Sequence, residues 1–381
     1  MPKGTPRPRR GATTIEEVAR AAGVSRQTVS NALNAPQRVR PDTLARVTAA
    51  IRELGYQPDQ SARSLRSGAR RTIGYLAPVD DPFDPNPLMS GFLEALVDAA
   101  GAQGQRVLLF RPGHGGAEGG AQGAVGVGGG AQGAADPLAA IDELVAARQV
   151  DGLVLADVLG DDPRIGHVAR AGLPFVTFGR TGPGQPQHWV DIDNDAAMAV
   201  VVRHLAALGH RRIGYVGRAE DLPWMAARRA GFLAEAARLG LSAVTAARPD
   251  VAAVRELLRG PERPTAFATG SDLLALDVYE AVRAEGLTVG SAGMVGPAGV
   301  VGSAGVVGSA GTVGPAGVAV TGFHDTPLCR HLHPALTSVR LPLRAIAAAL
   351  VERLLGQVRG EAPPASGLEL AAELVVRDSS G

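Results

Sequence analysis

The spacing of apolar positions changes along the chain and separates a helical N-terminal part from a longer part in which strands and helices alternate. From Arg71 onward, short β-branched runs are followed by stretches with apolar residues every three or four positions. The runs that read as strands are 72-TIGYLAP-78, 106-RVLLF-110, 152-GLVLA-156, 174-PFVTF-178, 212-RIGYVG-217, 265-TAFAT-269 and 318-VAVTGF-323. The alternation predicts parallel, doubly wound α/β sheets, and about 300 residues are enough for two of them. Ligands of such sheets bind beyond the carboxyl ends of the strands.

The N-terminal part, up to about Tyr56, has the spacing of short helices. Thr14 and Glu17 form the pattern of a capping box, so a first helix should begin at Ile15 and end at Gly23. Ser25 should cap a second helix, 26-RQTVSNALN-34. Two helices joined by three or four residues are the helix-turn-helix, whose second helix enters the major groove of DNA.

The faces of the second helix indicate which residues would contact DNA. Val29 and Leu33 are four positions apart and should pack inward, which leaves Arg26, Gln27, Ser30 and Asn31 facing out. Arginine and glutamine pair with guanine and adenine edges, whereas serine and asparagine reach phosphates. Any small helical bundle could contain such a pair of helices, but the basic surroundings favour DNA.

Charge is distributed unevenly along the chain. Residues 1–71 contain 14 basic and 5 acidic side chains, a net charge of +9, although the whole chain carries only +1. This asymmetry points to a polyanionic partner for the N-terminal segment. Arginine is abundant throughout and Lys3 is the only lysine, as in proteins from GC-rich genes, so arginine content alone is weaker evidence than the asymmetry.

Other features limit the class of protein. Cys329 is the only cysteine, which excludes an intramolecular disulfide. The basic N-terminus has no apolar segment behind it, so no secretory signal is predicted. The uncharged stretch from Gly286 to Phe323 is too rich in glycine for a membrane helix. A cytoplasmic protein is the simplest expectation.

The segment 58-PDQSARSLRSG-68 has the signals of a helix but barely two turns of length. Its only large apolar side chain, Leu65, lies between Arg63 and Arg66. Helices shorter than about 12 residues need support from a partner, so this segment should become ordered only on binding one.

Two low-complexity inserts interrupt the α/β pattern. Residues 113–135 are a glycine-rich loop of linker-like composition. Residues 289–318 contain five copies of a six-residue unit with glycine at every third position, which is formally the collagen period. The favoured alternative is an expanded repeat in a surface loop, because long loop insertions cost little entropy.

The segments 14-TIEEVARAAGVSRQTVSNALN-34 and 40-RPDTLARVTAAIRELGYQPDQSARSLRSG-68 resemble the N-terminus of the LacI/GalR family of bacterial transcriptional regulators. The likeness continues in 191-DIDNDAAMAVVVRHLAALGHRRIGYVG-217, 228-RRAGF-232, 321-TGFHDTP-327, 334-PALTSVRLP-342 and 374-LVVRDS-379. The resemblance implies an N-terminal all-α helix-turn-helix domain joined to a periplasmic-binding-protein-like effector domain of two doubly wound α/β subdomains. The expected divisions are a disordered basic tail (1–11), a DNA-binding domain (12–58), a hinge helix and linker (59–71) and an effector-binding and dimerisation domain (72–381).

The resemblance also implies roles at the DNA. Arg26 and Gln27 match the family's main specificity positions, and Thr28, Ser30 and Asn34 match its backbone contacts; Asn31 stands where the family often has arginine. The hinge is implied to become helical on operator DNA, with Leu65 wedged into the minor groove. Operator-contacting residues are then expected to be Thr14, Ser25, Arg26, Gln27, Thr28, Ser30, Asn31, Asn34, Arg63 and Leu65. One recognition helix covers a half-site, so a homodimer on a palindrome is implied.

For the effector domain the resemblance implies a cleft that closes on a small polar ligand. Arg228 matches the family's effector-binding arginine, and Trp224 lies one helical turn before it, where an indole can stack on a sugar ring. Arg180, Asp272, Asp81 and Phe83 follow strands and are expected at the same end of the sheets. His324 occupies the first position of the family's usual acidic pair, and Ser271 replaces a common asparagine. The expected effector is a sugar or nucleoside.

The expected function is therefore a DNA-binding repressor gated by a small molecule, with no catalytic residues and no cofactor. The alternative is a binding protein of the periplasmic type with a vestigial DNA-binding segment. Cys329, His331, His333 and His324 lie close in sequence, but their spacing is not that of closed zinc sites, so no metal is expected.

Overall fold

Three α-helices form the N-terminal part of the structure over residues 13–56: α1 (Ile15–Ala22), α2 (Arg26–Asn34) and α3 (Pro41–Leu54). A computed structural model describes these residues together with 70–77, 87–111, 136–218, 222–290, 317–361 and 367–380. The chain divides into two units, Met1–Arg70 and Arg71–Gly381. The predicted tail, the hinge with Arg63 and Leu65, and most of both inserts lie outside the described residues.

The capping signals in the sequence set the ends of the first two helices, as predicted. The Thr14 hydroxyl accepts a hydrogen bond from the Glu17 N–H, and the Glu17 carboxylate accepts one from the Thr14 N–H at 2.7 Å. Gly23 ends α1 with a φ of 63°, a left-handed conformation that glycine adopts without strain. Ser25 accepts a hydrogen bond from the Thr28 N–H and thereby begins α2.

The three helices enclose a small core of their own. Val18, Val29 and Val47, one from each helix, are completely buried, and Leu33 is packed against them. The prediction that Val29 and Leu33 face inward is confirmed. This core fixes the angle at which α1 and α3 hold α2, so its polar side stays available to a partner.

The first sheet of the effector unit is wholly parallel, in the order β11-β5-β4-β3-β1-β2. Its strands are β1 (Thr72–Leu76), β2 (Arg106–Phe110), β3 (Gly152–Leu155), β4 (Phe175–Phe178), β5 (Trp189–Ile192) and β11 (Leu368–Leu370). Helices α4 (Pro87–Ala102), α5 (Pro137–Ala146) and α6 (Pro163–Ala171) connect the first four strands.

The second sheet has the same plan, in the order β12-β10-β9-β8-β6-β7, and only the β10–β12 pair is antiparallel. Its strands are β6 (Arg212–Val216), β7 (Ser242–Thr245), β8 (Ala266–Thr269), β9 (Ala319–His324), β10 (Thr337–Arg340) and β12 (Glu373–Val375). Its helices are α7 (Asn194–Ala207), α8 (Pro223–Arg238), α9 (Val251–Arg259) and α10 (Asp272–Ala284). The predicted fold class, two doubly wound α/β subdomains after a helix-turn-helix, is confirmed.

The chain passes three times between the two subdomains. It crosses after β5 into α7, which packs on α8, and it returns after β10 into α11 (Leu343–Val358), which packs on α4 and on the first sheet. The third crossing lies between β11 and β12, which belong to different sheets. The two subdomains are therefore joined by three connections.

Gly231 permits the close contact between α7 and α8. A Cβ atom at this position would overlap the backbone of Asp195 at the start of α7. Gly231→Ala should therefore destabilise the effector unit by about 2–3 kcal/mol, because backbone atoms cannot rotate away as a side chain would. Urea unfolding followed by circular dichroism would measure the loss.

Gly101→Ala is the matched control. Gly101 also lies in a helix, α4, but nothing is within 4 Å of a Cβ atom built there. This variant should be as stable as the original chain or slightly more so, because alanine favours the helix. Equal unfolding midpoints for the two variants would refute the packing role of Gly231.

Candidate functional site

The polar side of α2 presents the side chains that the sequence assigned to base recognition. Arg26 and Gln27 are exposed, and Asn31 is half-buried. Arg26 lies 3.3 Å from Glu16, and the Gln27 amide donates a hydrogen bond to Asn31 at 3.0 Å. Surface pairs of this kind contribute little to stability. Both side chains can therefore exchange these partners for DNA.

The predicted exposure of Ser30 is wrong. Ser30 was predicted to face out with Asn31, but it is buried, with only 8% of its surface exposed. The reason is geometric: at 3.6 residues per turn Ser30 lies about 60° round the helix from Leu33, at the edge of the packed face. Gln27 and Asn31 lie farther round the helix, where Gln27 is exposed and Asn31 is half-buried.

The remaining predicted DNA contacts are placed at or near helix ends. Thr14 and Ser25 are the caps of α1 and α2, and the Ser25 hydroxyl lies 2.9 Å from that of Thr28. The beginning of α2 thus combines polar side chains with the free N–H groups of a helix N-terminus, an arrangement that favours phosphate. Asn34 is the last residue of α2. Arg63 and Leu65 lie outside the described residues.

A cleft lies between the two subdomains, where the carboxyl ends of both sheets meet. It contains about 410 Å³ of space not occupied by atoms, part of which is open to solvent. One wall is apolar, formed by Leu88 and Met89 of α4, Phe178 at the end of β4, and Leu341 at the second crossing. Trp224 adds an aromatic face from α8.

Arg228 lines this cleft and is almost completely buried, with 3% of its surface exposed. Its guanidinium group lies between the rings of Trp224 and Phe323, 4.6 and 3.6 Å from their centres. Nε donates to the side-chain oxygen of Asn194 at 2.9 Å, and Nη1 donates to the carbonyl of Gly270 at 2.6 Å. Burial lowers the pKa of Arg228 to about 9. The side chain is thus a fixed cation held in an environment with little water.

His324 lies against Arg228 at the end of β9. The distance between Nε2 of His324 and Nη1 of Arg228 is 3.0 Å. Burial and the positive charge of Arg228 lower the pKa of His324 well below its usual value, so the imidazole is neutral. Its ring centre is 6.3 Å from that of Trp224.

The backbone at His324 is unusual and is held from outside the cleft. His324 and Asp325 have φ values of 112° and 50°, both positive, which non-glycine residues rarely adopt. The Asp325 carboxylate binds Arg340 at 2.7 Å and Arg377 at 2.5 Å, and its N–H donates to the Ser338 hydroxyl. These contacts stabilise the turn that directs His324 to the cleft.

Two carboxylates complete the polar lining, Asp157 after β3 and Asp191 in β5. Asp191 accepts hydrogen bonds from the Ile192 N–H at 2.8 Å and the Asn194 amide at 3.4 Å, and lies 3.8 Å from Arg180. Burial raises the pKa of Asp191. The cleft therefore offers a cation, a neutral imidazole and two acidic side chains beside an aromatic surface.

Of the predicted effector residues, Trp224, Arg228 and His324 meet in the cleft, whereas Arg180 and Asp272 are not in its lining. Gly179 lines the cleft and, with a φ of 102°, turns the chain after β4, so Arg180 pairs with Glu369 at 2.8 Å. Asp272 is buried at the start of α10, where it accepts hydrogen bonds from the Thr326 N–H and the Ser338 hydroxyl. Asp81 and Phe83 lie outside the described residues.

Both units of the chain resemble known protein families. Residues 14–59 match the description "Bacterial regulatory proteins, lacI family", and residues 202–292 and 309–380 match "Periplasmic binding protein-like domain". The regulator RafR of Escherichia coli is 30% identical over 289 residues, covering 72% of this chain and 77% of RafR. The chain belongs to the lacI family.

Two solved structures resemble this lacI-family chain over most of its length. The transcriptional regulator CelR in complex with cellobiose is 26% identical with a TM-score of 0.62, covering 96% of this chain and 99% of CelR. The lac repressor dimer bound to operator and the anti-inducer ONPF has a TM-score of 0.73 at 24% identity, covering 97% of this chain and 99% of that one. The lacI-family chain is accordingly a helix-turn-helix transcriptional regulator.

The sequence reasoning missed several residues of the lacI-family cleft: Leu88, Met89, Asp157, Phe178, Gly179, Asp191 and Leu341. Asp157 could have been found, because it follows a predicted strand just as Arg180 does. Leu341 could not, since it enters the cleft through a crossing between subdomains that no local pattern predicts. Cys329 is buried, and within the described ranges no three His, Cys, Asp or Glu side chains are grouped as for a metal ion. No described helix is long and apolar enough to cross a membrane.

Proposed function

We propose that this chain is a dimeric transcriptional repressor whose affinity for a palindromic operator is set by a sugar bound in the cleft. The observation that carries the proposal is the position of Arg228, a buried cation at the junction of the two subdomains. A ligand that engages Arg228 of α8 together with residues of the first sheet would favour the closed arrangement. Operator affinity would then depend on which arrangement the ligand stabilises.

The lining of the cleft supports a sugar or a nucleoside as the effector. A sugar presents C–H groups on one face and hydroxyl groups around its edge. Trp224 can stack on the C–H face of the sugar. Arg228 can donate hydrogen bonds to the sugar hydroxyl groups, and Asp157 and Asp191 can accept hydrogen bonds from them. The related CelR structure contains cellobiose, which supports the sugar.

The recognition surface supports operator binding by two copies of the chain. One α2 helix with Arg26 and Gln27 covers a half-site, and two related by symmetry read a palindrome. The lac repressor, which shares the fold, was crystallised as a dimer on its operator. Arg63 and Leu65 would contact the DNA between the two half-sites, with Leu65 as the minor-groove wedge and Arg63 on phosphate.

Binding-site selection on random duplex DNA, repeated with a panel of neutral and acidic sugars, tests the proposal. A palindromic site should be enriched, and at least one sugar should change its occupancy. Binding to the selected site should weaken by about 10³-fold or more between 50 and 200 mM salt, because several phosphates are contacted.

A scrambled duplex of equal length is the control for sequence specificity. Equal affinity for the scrambled and selected duplexes would contradict operator recognition. It would favour the alternative, a ligand-binding protein with a vestigial DNA-binding segment. If the protein binds DNA sequence-specifically but no sugar changes this binding, the assignment as a regulator stands and the assignment of a sugar as its effector is wrong.

A further inference from the structure

Some hydrogen-bond donors of Arg228, which lines the cleft, have no acceptor among the described residues. A guanidinium group carries five N–H bonds. The Nε donor and the two Nη1 donors are matched by Asn194, Gly270 and His324. Among the residues that the structure describes, no acceptor contacts Nη2. The unmatched nitrogen belongs to a side chain that is 97% buried and lines the cleft, so a ligand atom is its natural acceptor.

His324 is a second donor. A guanidinium group can only donate, so Nε2 of His324 must be the acceptor of the bond from Arg228. A neutral imidazole that accepts at Nε2 carries its hydrogen on Nδ1. Within the described residues that Nδ1–H has no acceptor, although only 8% of His324 is exposed. The cleft thus contains two buried side chains whose remaining polar atoms are all donors.

The positive charge of Arg228 is also not neutralised by contact. In the described part of the chain, no carboxylate oxygen lies within 4 Å of its guanidinium nitrogens. Among the acidic side chains that line the cleft, Asp191 has the largest electrostatic effect on Arg228. The Asp191 carboxylate accepts hydrogen bonds from Ile192 and Asn194 and lies near Arg180. A desolvated cation with free donors binds an oxyanion more tightly than a hydroxyl group.

We propose that the effector carries a carboxylate, as in a uronic or aldonic acid, and that Arg228 and His324 bind it. This inference rests on the proposed function and narrows its ligand class from sugars to sugar acids. Trp224 receives the ring or chain of the sugar, and Asp157 and Asp191 accept its hydroxyl groups. A phosphate dianion fits less well, because one cation would face two negative charges beside these two aspartates.

Calorimetric titration of the full-length protein tests the ligand class with matched probes. D-Glucuronate and D-gluconate are compared with D-glucose, D-galacturonate is compared with D-galactose, and D-glucose 6-phosphate represents the dianion. At least one acid should bind about tenfold or more tightly than its neutral parent, as expected for a charge-assisted hydrogen bond. The phosphate should bind more weakly than that acid.

His324→Asp tests the assignment of the site. The new carboxylate would pair with Arg228 and repel an acid, so the preference for the acid should be lost. Asp tolerates positive φ better than most residues, which limits the structural cost. His331→Asp is the matched control: it makes the same chemical change on an exposed histidine outside the cleft, and the preference should persist.

The possible outcomes are separable. If a neutral parent binds as tightly as its acid, if no acid binds, or if His324→Asp retains the preference, the carboxylate assignment is overturned. A neutral sugar that nevertheless changes operator occupancy would leave the proposed sugar-gated regulator standing. Tightest binding by glucose 6-phosphate would replace the carboxylate with a phosphate and overturn the inference in its present form.

Discussion

Arg228→Met should remove the response to effector and leave operator binding in the absence of effector intact. Methionine keeps an apolar stem between Trp224 and Phe323 but loses every donor of the guanidinium group. Loss of a charged hydrogen-bonding group of this kind weakens ligand affinity by about 100-fold. Titration of effector into a fluorescent operator complex would show a midpoint displaced by that factor or no transition.

The adjacent arginine offers the matched control. Arg229→Met makes the same chemical change one residue along α8, at a half-buried side chain that is not in the lining of the cleft. Its effector midpoint should stay within about threefold of the original chain, as for a position without ligand contact. A normal midpoint for Arg228→Met would remove Arg228 from the effector site, and lost operator binding would show a wider structural role.

Gln27→Ala should weaken operator binding by about 30-fold or more and relax the base preference at one position of each half-site. A bidentate pair with a base contributes about 1–3 kcal/mol to discrimination, and a dimer makes the contact twice. Gln27 is exposed on α2 and paired only with Asn31 among the described residues, so its removal should not unfold the domain. Electrophoretic mobility shifts with single-base operator variants would measure both effects.

The salt dependence of Gln27→Ala separates base recognition from phosphate contact. Glutamine is uncharged, so the slope of affinity against salt concentration should be unchanged. Gln37→Ala is the matched control, since Gln37 is also exposed but lies in the 3₁₀ helix Pro36–Arg38 beyond α2. Full operator affinity for Gln27→Ala, or equal losses for both variants, would contradict the assignment of Gln27 to base recognition.

Signals that act over one helical turn were read correctly from the sequence. The capping box of Thr14 and Glu17, the cap at Ser25 and the turn at Gly23 each depend on neighbouring residues alone. Ser30 was placed on the exposed side of α2 because only Val29 and Leu33 were assigned to the packed face. The angle to Leu33 decides its burial, and the angle was available from the sequence.

Several elements were not identified from the sequence: the helices α6, α9 and α11 and the strands β5, β7, β10, β11 and β12. The helices α6 and α9 carry local signals, since Asp162 and Asp250 cap them. In contrast, β7 is a four-residue strand at the edge of its sheet with no fully buried position. A strand of this kind lacks the apolar run of a central strand. Its existence is decided by pairing with β6.

The position of the cleft could be predicted from the topology of the sheets, but the directions of its side chains could not. Ligands of parallel sheets bind beyond the carboxyl ends of the strands. This rule correctly indicated the position of the cleft, and Trp224, Arg228 and His324 line it. The rule does not say which way each side chain turns. The positive φ of Gly179 sends Arg180 to Glu369, and hydrogen bonds to Thr326 and Ser338 hold Asp272 behind the cleft. Such directions depend on tertiary contacts.

The short bridge between Val289 and Val318 has a genetic consequence. The Gly290 N–H donates to the Val318 carbonyl and the Val318 N–H donates to the Thr288 carbonyl, so both ends of the repeated segment are joined on the same small ladder. Gaining or losing whole six-residue units by replication slippage keeps the reading frame and leaves this ladder intact. Alleles differing in repeat number should therefore fold alike, and the same position is suited to carrying an inserted reporter domain.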